Sequence, residues 1–411
     1  MFKRMSCKSN RNGERRMSVK SRRIGLNGDT AVAYAAKQAN VDVISAYPIT
    51  PQTIMVEKLA EYVNNGELDA VFIPVESEHT ALSAAVGASL AGARVFTATA
   101  SQGLALMYEI LWIAAGLRTT VVMALGNRAF SPNINIHCSH DDLYAVRDTG
   151  WIELIAENVQ EAYDLTLQAF KISEDKKVLF PSTISLDGFI LTHSLEALYV
   201  IDDAYVENFL PPKDPVYPID PNNPITYGPL DLQDYYIEHK KLQDYHFENS
   251  YPRILEIFQE YSEFTGRTYK PIKTYGLDDA EVAIIILGSS AGTARFVAKK
   301  LREKGQKVGV ISLTLYRPFP VDKIKEATKG LKALAIMDRS LSFGSPGAQL
   351  YMDVASALVN EREKPLLFNV IYGLGGRDLT PDQVEYVFKK AQEYAKEGEV
   401  KELKLWVGVR E

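Results

Sequence analysis

Short apolar runs alternate along this chain with segments whose apolar residues recur at helical spacing. Residues 41–47 read as a strand, broken by Pro48-Ile49-Thr50-Pro51. Thr53–Asn64 then carries Ile54, Leu59 and Val63 near one face of a helix that Asn65-Gly66 closes. Residues 70–75 read as a buried strand delivering Glu76-Ser77-Glu78-His79 to the head of a small-residue helix, 80–91. Strands at 94–98, 119–125, 152–155 and 178–185 and helices at 104–115 and 159–174 continue the alternation. Upstream, Gly28-Asp29-Thr30 can start a helix over 31–40, with Asp29 or Thr30 as N-cap. This order predicts an α/β fold with a parallel sheet covered by helices.

The pattern fails at 206–250, where Pro211, Pro212, Pro215, Pro218, Pro221, Pro224 and Pro229 exclude regular structure. The same stretch holds Tyr217, Tyr227, Tyr235, Tyr236 and Tyr245, and disordered segments are usually poor in aromatics. An ordered arm laid over another surface, that of a second subunit, is expected, with a helix at 252–264 leading out of it. A second α/β unit follows from about residue 280. Its strands are expected at 282–287, 307–312, 332–337 and 366–372, with a tight turn at Gly288-Ser289-Ser290-Ala291-Gly292 and helices between.

Composition changes the picture in three places. A length of 411 residues allows two or three domains, and a net charge of −6 argues against nucleic acid as the main partner. Residues 1–23 hold nine Lys/Arg against Glu14 alone, so they read as a basic, disordered tail with no secretory h-region. Two cysteines, Cys7 and Cys138, fit a reducing cytoplasm and leave the chain short of the four thiolates an iron–sulfur cluster needs. The longest run free of charged residues, 79–93, is too short and too rich in Ala, Gly and Ser to span a membrane.

In a parallel sheet, Tyr47–Pro51, Glu76–His79 and Asn127-Arg128 all follow strands on one edge, where ligands bind in such folds. A hydroxyl, a carboxylate and a guanidinium there suit a small carboxylate-bearing ligand: Arg128 can pair a carboxylate through two bonds, Thr50 can donate another, and Glu78 can act as acid or base. Taken singly, each has a plainer reading. Thr50 between prolines is a turn residue, Glu78 a charge favoured by a helix N-terminus, and Arg128 one half of a surface ion pair. Glu76 reads as the structural member of its pair. His79, His137 and His140 have no metal-ligand spacing, and no metal site is assigned. Gly288–Gly292 is not GxGxxG.

Six motifs occur in a fixed order: Tyr47-Pro48-Ile49-Thr50-Pro51, Glu76-Ser77-Glu78-His79, Thr99-Ala100-Ser101-Gln102-Gly103-Leu104, Asn127-Arg128-Ala129, Arg147-Asp148-Thr149-Gly150-Trp151 and Asp187-Gly188-Phe189. Together they resemble the alpha subunits of the 2-oxoacid:ferredoxin oxidoreductase family, specifically the pyruvate (pyruvate synthase) type. Tyr316–Pro320 and Asp338-Arg339-Ser340 resemble that family's transketolase C-terminal-like domain. The resemblance covers roughly residues 24–390. It implies a thiamine-pyrophosphate pyrimidine-binding domain over 24–262, including the arm, and a transketolase C-terminal-like domain over 263–411. Glu78 would contact N1′ of the cofactor's aminopyrimidine, with Tyr47, Pro48 and Ile49 beside the cofactor. Thr50 and Arg128 would hold the carboxylate and carbonyl end of the substrate. The implied reaction is reversible oxidative decarboxylation of pyruvate to acetyl-CoA and CO2, with coenzyme A as co-substrate and electrons passing to ferredoxin.

The chain lacks a GDG…N diphosphate–magnesium motif and cluster cysteines. In the family, Mg2+ and the [4Fe–4S] clusters sit on partner chains, so the resemblance implies half an active site completed by beta-, gamma- and delta-type subunits. Ser139-His140-Asp141 departs from the Asp-His pair expected in that loop, so His137, Cys138 and His140 receive no role. The alternatives are a branched-chain or 2-oxoglutarate enzyme of the same family, a transketolase or E1-like component, and a scaffold subunit that lends only interface.

Overall fold

The computed structural model describes residues 20–410. Three blocks of β-structure organise it. The first is a seven-stranded sheet in the order Leu315–Arg317, Ile152–Ile155, Ser182–Asp187, Val122–Asn127, Val95–Thr99, Val43–Ala46, Val71–Pro74, parallel except for the Leu315–Arg317 edge. The second is a six-stranded sheet in the order Lys404–Trp406, Leu366–Ile371, Ala333–Asp338, Val282–Ile286, Val308–Leu313, Ile272–Tyr275, parallel except for Ile272–Tyr275. The third is an antiparallel ribbon of Ser21–Leu26 with Glu196–Ile201.

The inner strands are apolar on both faces because helices cover both. Phe96, Ala98, Val122, Ala124, Ile184 and Leu186 point to a core roofed by Gly28–Gln38, Thr53–Asn64, Val159–Glu174 and Tyr251–Thr265. Val95, Met123, Leu125 and Ile155 point to the other face, beneath Glu78–Leu90, Ser101–Gly116 and Asp141–Val146. That second core runs on without a break to Ile285, Ile311, Leu334 and Leu350 of the second sheet. Ser290–Glu303 and Pro381–Glu397 close the far face of the second sheet. Among the described residues, no helix is long and apolar enough to cross a membrane.

Four sequence expectations need correction. Val71–Pro74 is an edge strand with Val71 61% exposed, so it is only half covered where a buried strand was expected. The helix Gly28–Gln38 is capped by Asn27, whose Oδ1 accepts from the Thr30 N–H in a reciprocal box, because Asn27 and not Asp29 or Thr30 holds the extended backbone. The ribbon begins at Ser21, so residues 21–23 belong to a strand; the rest of the expected tail, 1–19, lies outside the described residues. Prolines do not exclude helix from the arm, since Asp203–Phe209 and Tyr236–Glu248 flank its proline-rich middle. That middle lies on its own chain: Ile219 N–H donates to Leu90 O (2.8 Å), Lys213 Nζ to Ala93 O (2.6 Å), and Arg94 Nη2 to Pro211 O (2.7 Å).

Candidate functional site

Four parallel strands end side by side in the order Val71–Pro74, Val43–Ala46, Val95–Thr99, Val122–Asn127, and their carboxyl ends carry Glu78, Thr50, Ser101 and Arg128 in turn. The predicted trio therefore shares one edge.

Glu78 is the first residue of its helix because Ser77 is extended and its Oγ accepts from the Thr80 N–H at 3.2 Å. Glu76 is exposed, and its carboxylate is held by the Thr80 hydroxyl at 2.6 Å, which pulls its pKa down; it is the structural member of the pair. Glu78 is 8% exposed, and its carboxyl has no hydrogen-bond donor among the described residues. Its wall is Gly103. A Cβ at that position would stand 2.8 Å from Glu78 Cγ and Oε1 and 2.5 Å from Thr99 Oγ1, a buried hydroxyl that also has no partner. A buried, unbonded carboxyl facing a bare glycine and an orphan hydroxyl fits a flat heterocycle with a ring nitrogen to satisfy, as in the pyrimidine of thiamine pyrophosphate.

The turn after Val43–Ala46 is folded on itself: Gln52 N–H donates to Ile49 O (3.0 Å) and Gln52 Nε2 to Tyr47 O (3.0 Å). Pro51 is buried between Gly126 and Gly188, where Cβ positions would meet its ring at 3.2 and 3.0 Å, so two glycines seat the turn on the neighbouring strand ends. Tyr47 and Pro48 are exposed on the edge, while Ile49 and Thr50 are partly covered. The Arg128 guanidinium reaches back to this turn, donating from Nη1 to Thr50 O (3.0 Å) and from Nε to Asn135 O (3.3 Å). Arg128 is 7% exposed and makes no ion pair among the described residues, which overturns the surface-pair reading. Burial draws its pKa down, with Asp142 opposing. A covered guanidinium bonded only to carbonyl oxygens is an incomplete anion site.

Three further groups, none assigned from the sequence, support this edge. Asp142 is fully buried and accepts from the N–H of Ser101 (2.9 Å), the N–H of Arg128 (2.9 Å), Asn127 Nδ2 (3.0 Å) and the N–H of Leu143 (2.9 Å). Burial pushes its pKa up to about 7 against those donors. His140 Nε2 and Asp187 Oδ1 lie 2.8 Å apart with both side chains buried. Burial alone would lower His140; the Asp187 carboxylate, with Cys138 beside it, raises it to about 10. Asp187, which burial alone would raise, is held well below the usual carboxylate range by His140 and Arg339. Asp187 also accepts from the Ser289 N–H (3.0 Å), so the second sheet's first turn docks here. Cys138, His140 and Asp187 bring ligand-type atoms within 4.8 Å, a grouping their sequence spacing hides. The Arg339 guanidinium, 3.5 Å from Asp187, already supplies the cation there. The one local signal for Asp142 was the Asp141-Asp142 pair at a helix start.

Cavities lie elsewhere on the chain. One of about 690 Å3, lined by Trp112, Arg147, Tyr236, Phe247 and Arg317, opens at the amino edge of the sheet. Its arginines are already paired, Arg147 with Asp148 and Arg317 with Asp353, so it lacks the unsatisfied groups of the carboxyl edge.

The chain is similar to known proteins. A family model described as pyruvate flavodoxin/ferredoxin oxidoreductase, thiamine diphosphate-binding, matches residues 34–259. A second, described as pyruvate:ferredoxin oxidoreductase core domain II, matches residues 280–384. The pyruvate synthase subunit PorA of Pyrococcus abyssi is 48% identical over 386 residues, which is 94% of this chain and 98% of that protein. The ketoisovalerate oxidoreductase subunit VorA of the same organism is 42% identical over 379 residues, 91% of this chain and 95% of that one. Among solved structures, a 2-oxoglutarate:ferredoxin oxidoreductase from Magnetococcus marinus, with 2-oxoglutarate, coenzyme A and succinyl-CoA bound, superposes with a TM-score of 0.69 at 21% identity. It covers 91% of this chain, which spans 65% of that longer chain, and the likeness is one of fold. With both models in sequence order and such identity over nearly its whole length, the chain belongs to the pyruvate:ferredoxin oxidoreductase family, as a member of its alpha-subunit (PorA) branch.

Proposed function

We propose that this chain supplies the substrate and pyrimidine half of a cytoplasmic pyruvate:ferredoxin oxidoreductase. The complex converts pyruvate and coenzyme A to acetyl-CoA and CO2, reversibly, with electrons passing to ferredoxin. The observation that carries the reading is the pairing, on one sheet edge, of a buried Glu78 and a buried Arg128 that have, among the described residues, no hydrogen-bond donor and no anionic partner respectively.

Thiamine pyrophosphate, when bound, supplies the electron sink that lets CO2 leave from a 2-oxo acid. The protein's own groups do the rest. Glu78 shares a proton with N1′ of the pyrimidine, and the low-dielectric wall of Gly103 and Thr99 strengthens that bond. Arg128 pairs the substrate carboxylate, and the Thr50 hydroxyl, in the same turn whose carbonyl Arg128 holds, donates to the carbonyl end. Tyr47, Pro48 and Ile49 border the cofactor.

The other half comes from partners: a beta-type subunit and a ferredoxin-like delta-type subunit, which carry the diphosphate–Mg2+ motif and the [4Fe–4S] cluster cysteines, with a gamma-type subunit alongside. Supporting this, helix Ser101–Gly116 turns Leu106, Tyr108, Trp112 and Ile113 to solvent beside the helix of Glu78, a face interrupted by the exposed Glu109 but otherwise apolar and suited to a protein cover. The 42% identity to a ketoisovalerate oxidoreductase subunit favours a branched-chain 2-oxo acid as the second reading.

Anaerobic purification of the tagged chain from its own cells, assayed for viologen reduction with pyruvate and coenzyme A, tests both. Activity co-eluting with iron, thiamine pyrophosphate and smaller chains is expected. A loaded complex that ignores pyruvate but turns over 3-methyl-2-oxobutanoate moves the substrate. Turnover by the isolated chain sinks the half-site reading.

A further inference from the structure

We propose that Asp142 is the positioning residue that locks Arg128 and the wall of Glu78 into one rigid site. The inference rests on the assignment of Arg128 to the substrate carboxylate given above. Its basis is geometric. One carboxylate oxygen, Oδ2, takes the backbone N–H of Arg128 and the backbone N–H of Ser101, both at 2.9 Å. Arg128 begins the excursion whose guanidinium holds the Thr50 turn; Ser101 begins the helix whose Gly103 walls Glu78. The two backbones thus hang from the same atom.

The other oxygen, Oδ1, takes Asn127 Nδ2 at 3.0 Å and the N–H of Leu143 at 2.9 Å, which fixes the carboxyl plane. Ser101 needs the tether. It is a non-glycine residue at φ +45°, a strained left-handed backbone that persists only where its surroundings over-determine it. A second tie pulls the same way: Ser101 Oγ donates to Ala129 O at 2.6 Å, so the segments after two adjacent strands are bonded twice. Asp142 touches neither substrate nor cofactor. It acts through the backbones of Arg128 and Ser101.

An Asp142→Asn side chain keeps the shape but has one acceptor oxygen where the carboxylate has two, so its NH2 opposes either the Ser101 and Arg128 N–H pair or the Leu143 N–H, the Asn127 amide alone being able to turn its free Oδ1 towards it. The assembled complex carrying Asp142→Asn is expected to show a KM for the 2-oxo acid about tenfold higher through Arg128 and a kcat about tenfold lower through the loosened wall of Glu78, with the KM for coenzyme A unchanged. Hydrogen–deuterium exchange of the complex should speed up in peptides containing Ser101 and Arg128 and nowhere else in the sheet. In an Arg128→Met background the Asp142→Asn change should add little to KM, because the two act as one unit.

An unchanged KM, or KM increases that multiply with Arg128→Met, overturns the proposal. If Asp142→Asn does not assemble, Asn127→Ala decides: it removes one donor to the carboxyl and should raise the same KM about threefold, and no rise is equally fatal. A wild-type complex inert toward every 2-oxo acid refutes the function itself, while the exchange measurement still reports on the tether.

Discussion

The wall behind Glu78 offers a sharp test, Gly103→Ala. The added Cβ would sit 2.5 Å from Thr99 Oγ1 and 2.8 Å from Glu78 Cγ and Oε1, where carbon contacts relax at roughly 3.5–4.0 Å. Something must move by on the order of 1 Å. Thr99 is fully buried in a central strand and β-branched, so it yields little. Glu78, on a flexible stem at a helix start, yields more. Overpacking of this kind costs about 1–3 kcal/mol, offset by about 1 kcal/mol of helix propensity gained where glycine leaves a helix. Net destabilisation is therefore about 0–2 kcal/mol, small enough for the chain to fold and assemble. Activity should suffer far more, since a displacement near 1 Å of an orienting group costs about 10²-fold. The assay is kcat/KM of the assembled complex together with its thiamine pyrophosphate affinity and melting temperature. Wild-type kcat/KM and cofactor affinity in a folded Gly103→Ala complex would refute the placement of the pyrimidine against this wall.

Glu78→Gln keeps the shape but cannot share a proton in the same way, so viologen reduction should fall about 10²–10⁴-fold with assembly intact; retained activity would leave the chain a scaffold. Asp164 is fully buried and accepts from Arg267 Nε and Nη2 (both 2.6 Å), Tyr261 OH (2.5 Å) and Tyr269 OH (2.7 Å), so Asp164→Ala strands a partly covered guanidinium and two buried hydroxyls and should cost about 2–4 kcal/mol. Urea denaturation of the chain checks this: the midpoint should fall at constant slope, and a loss under 1 kcal/mol would be the wrong answer. The His140–Asp187 pair sets a pH window. His140 is raised in the fold from 6.5 to about 10, so its stabilisation is full below pH 6.5 and fades as pH rises through about 10. Asp187 is depressed, so its share is present above about pH 4 and fades below that. Denaturation of wild type and His140→Gln should therefore differ most near pH 6 and converge above pH 10; a gap independent of pH would contradict the pairing.

What the sequence made legible was whatever depends on local periodicity and on the logic of parallel sheets. Thr53–Asn64, Ile152–Ile155 and Val159–Glu174 fall where their apolar spacing places them. Glu78, Thr50 and Arg128 could be put on one edge because a parallel sheet leaves its strand ends on a single side. Long-range pairings were not legible. Nothing near His140 announces Asp187, 47 residues away, and nothing in the three-residue stretch Leu315–Arg317, followed by Pro318, announces a strand of the distant first sheet. Asp142 was hidden differently. Its four donors are mostly backbone N–H groups, which any sequence possesses, so beyond the Asp141-Asp142 pair the residue that gathers them leaves no compositional trace.

The pairing of Leu315–Arg317 with Ile152–Ile155 has a consequence for synthesis on the ribosome. Leu154 waits for a partner, Leu315, that emerges about 160 residues later. At about 5–20 residues per second, that is roughly 8–30 seconds during which the first sheet has an open flank. Such a flank recruits stray strands, and the two halves of the chain cannot mature one after the other. The nascent protein should therefore depend on a holding chaperone through this interval, and release from it should coincide with the appearance of residue 317.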